Sequence, residues 1–335
     1  MPEQSPSPAP TVEQEPVVAG TQPLVLELPP TETDAKVEKS ASKRLGLFGW
    51  VAIVWLALVT LSALLAPVLP VPAPDQHFIG HETEAISFAH PMGTDGTGQD
   101  MMARVIWGAR ASLLISVSSV VLGLILGGLL GLIAGYYRGK LDTFLTNLFN
   151  VFLAVPQLVL ALALVAVFAS DPAKVSSQFH WIVDWPVSQR EFWLIISIGI
   201  VSIPIIGRIA RASTLTWAQR EFVLAARSMG AKNRRIMIRD VLPNVLPAMF
   251  SIALLGVAVV IVLEGGLSIL GVGVPPSTPS WGNLIATGRN ELTKIVGAAP
   301  QVILAPSVAI FLTVLALNYL GDVIRARFDV RESAI

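Results

Sequence analysis

The sequence contains no cysteine, which removes disulfides, thiolate metal sites and cysteine nucleophiles together. Charge is also scarce. Only 14% of its 335 residues are Asp, Glu, Lys or Arg, against about 25% in a soluble domain. With 53% apolar residues and a mean hydropathy of +0.67, the chain is not an ordinary globular enzyme. Basic and acidic residues balance at 23 each, so no basic field points to nucleic acid. The low charge and high apolar content leave a membrane protein as the natural reading.

The apolar residues are gathered into six runs, each near the roughly 20 residues that cross a bilayer. They are Leu47 to Leu65, Leu113 to Tyr136, Phe144 to Phe168, Phe192 to Ala210, Val245 to Leu263 and Val302 to Leu320. Residues 1–44, with eight prolines among Glu, Thr and Ser, have the composition of a disordered cytoplasmic tail. Residues 45–70 hold the first span, read as uncleaved because a secretory signal sits nearer the start. Residues 71–112 form an extracytoplasmic segment, 113–328 a five-span core and 329–335 a short cytoplasmic tail. Threading the chain from an inner tail leaves only Arg104, Arg110, Lys174, Arg190, Arg289 and Lys294 outside, and the other 17 basic residues inside. The positive-inside rule then makes both termini cytoplasmic.

Pro156, Pro204 and Pro306 lie inside spans, where each removes a backbone donor and favours a kink. The second span repeats glycine at Gly123, Gly127, Gly131 and Gly135. Such a ridge lets another helix approach backbone to backbone, within the chain or in a partner. No histidine and no aspartate pair falls within the six runs, which weighs against an intramembrane protease or hydrolase. The stretch Gly135 to Leu141 has too few residues between its glycines to be a phosphate loop and reads as a turn. His77, His81 and His90 share one outer segment with Glu82, Glu84 and Asp95, but their spacing matches no helical ligand pattern. No metal site is therefore assigned.

Residues 212–244 form a polar loop too long for a turn and too elaborate for a passive channel. Within Glu221 to Gly230, Phe222, Val223, Ala226 and Met229 recur at helical spacing, and Gly230 is placed to end the helix. By spacing alone this helix suits two roles equally: docking into a groove of a partner, or lying on the anionic membrane surface. Glu264, near the end of the fifth run, is either functional or a carboxylate satisfied by nearby loop amides.

The loop resembles the coupling signature of bacterial ABC importer permeases: E-A-A, three residues, G, nine residues, I-x-L-P. Ala225, Ala226, Gly230, Leu242 and Pro243 match it, while Leu224 and Asp240 stand where the pattern has glutamate and isoleucine. His90 to Asp100, continuing through Arg104 to Leu113, is similar to the stretch before the second span in C-type dipeptide and oligopeptide permeases. Glu264 to Asn283 resembles the outer loop of the same family, and the match runs over about residues 45 to 328. The resemblance implies an all-α, six-span type I importer bundle with a cytoplasmic coupling helix. It implies import of dipeptides or short oligopeptides by alternating access, with a nickel or other metal chelate as the alternative cargo. It further implies a homologous B-type permease partner, an extracytoplasmic binding protein and two subunits that carry ATP and Mg, with no cofactor and no catalytic residue here. Glu221, Ala225, Ala226, Arg227, Gly230, Ala231, Leu242, Pro243 and Asn244 would form the coupling loop, and Asp95, Asp100, Glu264 and Trp281 an outer gate or binding-protein contact.

Overall fold

The computed structural model describes residues 46–168, 189–275, 277–292 and 299–333. The proline-rich stretch 1–44, Lys174 and Lys294 lie outside them. Among the described residues the fold is all-α, with only two isolated bridges, His77 to Gln99 and Thr94 to Asp100. Five of the described helices are long and apolar enough to cross a membrane: α1 (Leu47–Leu65), α2 (Met101–Tyr137), α5 (Gln189–Trp217), α7 (Asn233–Ile269) and α9 (Gln301–Ser333). Helices α3 (Gly139–Ala154) and α4 (Gln157–Phe168), bent by 92° at their junction, are long and apolar enough only as a pair. Two shorter helices, α6 (Glu221–Ser228) and α8 (Trp281–Leu292), lie between the long ones.

Several boundaries differ from the sequence reading. The third apolar run is a broken pair because Pro156, in the gap, cannot donate to the preceding turn. Pro204 and Pro306, by contrast, sit inside unbroken helices. Helix α2 starts at Met101, twelve residues before the apolar run, because Asp100 caps it: Oδ1 accepts from the Ala103 amide at 2.8 Å. Arg104 and Arg110 consequently sit on a helix and not in a loop. Arg104 is buried and ion-paired with Asp95. Most of 212–244 is likewise helical, since α5 runs on to Trp217 and α7 begins at Asn233. The last helix continues through Ser333, into the segment read as the C-terminal tail.

The glycine ridge packs inside the chain. Helix α2 lies along α5, with Gly127 against the Ile203 carbonyl and Gly131 against the Gly207 carbonyl. A Cβ at Gly135 would stand 2.7 Å from the Arg211 carbonyl and 2.8 Å from Thr214 Cβ, so backbone meets backbone along the seam. The Ser119 hydroxyl donates to Ile195 O across the same seam at 3.1 Å. Helix α1 joins through Trp55, whose indole N–H donates to Thr313 Oγ1 of α9 at 3.1 Å. Its Leu47, Phe48, Trp50, Val54, Leu58 and Leu64 are exposed, as lipid-facing side chains of an outermost span should be.

Candidate functional site: the end of the bundle that carries α6

Helix α6 follows α5 after a three-residue turn and carries Glu221 in its first turn and Arg227 in its last, each suited to the helix dipole. It ends in a paired cap. The Ala231 amide donates to Ala226 O at 3.1 Å and the Gly230 amide to Arg227 O at 3.0 Å. That Schellman arrangement needs a left-handed residue, and Gly230 supplies it at φ +82°. Gly230 therefore ends the helix as its spacing suggests.

The apolar side chains of α6 divide between two directions. Val223 is fully buried and Ala226 half-buried, packed with Leu132, Tyr136, Trp217, Ile236 and Val241 of the same chain. Phe222, Leu224, Ala225 and Met229 are exposed, Met229 at 81%. The single outward face of Phe222, Val223, Ala226 and Met229 is thus corrected: Val223 and Ala226 seat α6 on its own bundle. Leu224, standing where the family pattern has glutamate, joins the exposed face. Spacing alone could not separate these roles, because Trp217 and Ile236, which claim Val223, come from flanking segments.

Beyond Gly230, the chain turns at Ala231 and Lys232 into α7, whose residues Ile236–Val241 form a π-helical turn. Pro243 explains the turn's position. Lacking an N–H and crowding the carbonyl four residues back, it is incompatible with regular α-helix through Arg239. The wider turn lets the Leu242 amide reach Met237 O instead. Asn244 closes the region, donating from Nδ2 to Asp240 O at 2.7 Å. Two ties brace this end: Tyr136 Oη donates to Asn233 Oδ1 at 3.1 Å, and Arg211 forks onto Asp142, with Nη2 to Oδ2 at 2.7 Å. Beside α6 lies a hollow of about 630 Å³ lined by Tyr136, Tyr137, Arg138, Gln219, Leu224 and Arg227. The whole end presents apolar side chains among arginines.

At the opposite end, the residues expected at an outer gate or binding-protein contact are turned inward. Asp95, Asp100, Glu264 and Trp281 are all at least nine-tenths buried, which removes them as a contact surface in this conformation. Glu264 Oε1 accepts from Ser268 Oγ at 2.9 Å and Ser280 Oγ at 2.8 Å, and Ser280 Oγ accepts the Asn283 amide at 3.0 Å. Two hydroxyls satisfy that oxygen. Trp281 then pins α8 to α2, its indole N–H donating to Val105 O at 2.9 Å and its amide to Ser112 Oγ at 3.0 Å. Between the ends, α2, α4, α5 and α7 border an apolar cavity of about 270 Å³ in which Gln157 and Ser202 are the polar lining residues.

The outer segment also draws together residues whose sequence spacing gave no sign of it. A ring nitrogen of His81, a carboxylate oxygen of Glu84 and a ring nitrogen of His90 lie within 4.8 Å of one another. His77 is not of this group; its Nδ1 faces Thr97 O.

Comparison with known proteins places these features in a family. Residues 127–333 match the family described as binding-protein-dependent transport system inner membrane component. The glutathione transport system permease protein GsiD of Pectobacterium atrosepticum is 33% identical, over 82% of this chain and 83% of its own. The dipeptide transport system permease protein DppC of Alkalihalophilus pseudofirmus is 34% identical, over 83% and 85%. A di/tripeptide permease protein DppC of Pseudomonas aeruginosa reaches 37%, over 71% of each. Among solved structures, an inward-facing MetNI methionine ABC transporter chain aligns with a TM-score of 0.51 at 19% identity, over 68% of this chain and 97% of its own, a likeness of fold.

Proposed function

The chain belongs to the family of binding-protein-dependent transport system inner membrane components, a multi-pass inner membrane protein and transport permease subunit, and from that premise we propose that it imports dipeptides or short oligopeptides. The relatives' names support the cargo, and the arrangement of α6 supports the mechanism. Both termini are assigned to the cytoplasm by the excess of basic residues on the α6 side. The chain forms half of a translocation path, a homologous B-type permease subunit supplies the other half, and an extracytoplasmic binding protein delivers the peptide. Two ATP-binding subunits hold ATP and Mg and perform the hydrolysis.

The observation that carries this reading is the divided α6: Val223 anchors it while Phe222, Leu224 and Met229 stay exposed at the basic end of the bundle. An amphipathic helix fits a partner's groove through such side chains. Because α6 is held through Trp217 to α5 and through Ile236 to α7, force on it passes to two spans bordering the central cavity. ATP-driven closure of the nucleotide-binding pair would move α6 and reorient the bundle between outward and inward access. The cavity's few polar groups suit cargo of varied side chain, which leaves selection to the binding protein. Mass spectrometry of the native ligand held by that binding protein tests the cargo: peptides are expected, and a metal chelate without peptide would overturn the assignment.

A further inference from the structure

The geometry points to a divalent transition-metal site, zinc by its ligand set, formed by His81, Glu84 and His90 in the segment between α1 and α2. Two imidazoles and a carboxylate are the three-ligand set that leaves a fourth position on zinc open to water. Their donor atoms already lie within 4.8 Å of one another, although the residues span ten positions of irregular chain. The backbone holds them there. The Thr94 hydroxyl donates to the His81 carbonyl, and the Glu84 amide donates to that same hydroxyl oxygen at 2.8 Å. Gln301 of α9 holds the Glu84 carbonyl from the other side at 3.2 Å.

Asp100, outside the cluster, supports His90 as a ligand. His90 Nδ1 lies 2.7 Å from Oδ2 of Asp100, both residues are buried, and the Phe78 ring packs edge-on against the imidazole at 4.9 Å. A carboxylate that takes one ring N–H fixes the tautomer and leaves the other nitrogen, Nε2, as the ligand atom, the support that metal-binding histidines regularly have. Asp100 Oδ1 meanwhile caps α2, so this support is built into the start of a membrane span. The remaining pair is more open, His81 Nδ1 lying 2.7 Å from Glu84 Oε2 with the two side chains 55% and 33% exposed. A cation would take the place of the proton shared between them. A bound ion would clamp the outer segment onto the first turn of α2.

The test is Zn²⁺ binding to the full chain in nanodiscs, purified through a tag without histidine and read by equilibrium dialysis with elemental analysis. Co²⁺ serves as a spectroscopic probe of coordination. Wild type is expected to bind one equivalent and to give the intense visible bands of a four-coordinate Co²⁺ site. His81→Ala and Glu84→Gln change accessible side chains and should abolish that equivalent, while His77→Ala retains it. Asp100→Asn keeps a capping oxygen for α2 but loses the carboxylate, and should weaken binding about 10–100-fold. Less than one equivalent in wild type, unchanged binding in His81→Ala and Asp100→Asn, or equal loss in His77→Ala would overturn the site. Neither ATP nor peptide enters the assay, so its outcome is separate from that of the import reading.

Discussion

Substituting a single methyl group into the α2–α5 seam should separate the role of its glycines from mere composition. In Gly131→Ala the new Cβ would strike the Gly207 carbonyl and stand 2.8 Å from Ala210 Cβ and 2.9 Å from the Arg211 nitrogen. Carbon atoms pack best at about 3.5–4.0 Å, so the two helices would have to part by roughly 1 Å at that level. Backbone atoms cannot swing aside as side-chain ends can. Overpacking of this kind costs about 1–3 kcal/mol. The control is Gly256→Ala, whose Cβ would meet only two Val120 methyl groups, both at an ordinary 3.5 Å. Unfolding of each variant in mixed micelles with rising SDS, followed by tryptophan fluorescence, measures the difference. Gly131→Ala should lose stability by that amount and Gly256→Ala should stay within about 1 kcal/mol of wild type, since Ala is also the better helix former. Equal stability of the two variants would refute the close approach. Because the seam is internal, recovery of the partner permease should fall only in proportion to the folded chain.

Removing the Glu264 carboxylate as Glu264→Ala leaves the buried Ser280 hydroxyl without its acceptor. A loss of about 1–3 kcal/mol in the same SDS titration is expected, with Glu264→Gln, which keeps an amide oxygen, losing less. Gly230→Ala has open space around its Cβ but must hold φ near +82°, so about 1–2 kcal/mol of local strain should loosen the end of α6. Faster hydrogen exchange at Gly230 and Ala231 would register it. Deleting residues 2–40 should leave peptide uptake unchanged, because their composition offers nothing to pack; lost uptake with normal protein level would assign them a role.

Much of the fold can be read from hydropathy alone, because apolar runs of bilayer length have few other uses. Gly230 was equally legible, since few residues other than glycine accept the left-handed conformation at a helix end. Pro156 signalled a kink, but the 92° bend depends on where α4 packs, which no local pattern records. The early start of α2 is masked by Arg104 and Arg110, whose charges interrupt a largely apolar stretch, while Asp100 caps the helix and Asp95 pairs with Arg104. The orientation of Val223 and the meeting of His81 with His90 are tertiary facts. Each depends on chain that spacing rules do not connect: Trp217 and Ile236 for the valine, Thr94 and Gln301 for the histidines.

We propose that α6 couples this permease to ATP-binding subunits through the exposed half of its surface. The direct measurement is ATP hydrolysis by the complete complex in proteoliposomes, with and without peptide-loaded binding protein, for wild type and for Phe222→Glu with Met229→Glu. Both positions are exposed, so the variant chain should insert and fold as wild type does. The account predicts that peptide-loaded binding protein stimulates hydrolysis in wild type, and that the variant loses this stimulation or fails to retain the ATP-binding subunits. A variant that retains those subunits and responds with undiminished stimulation would contradict it.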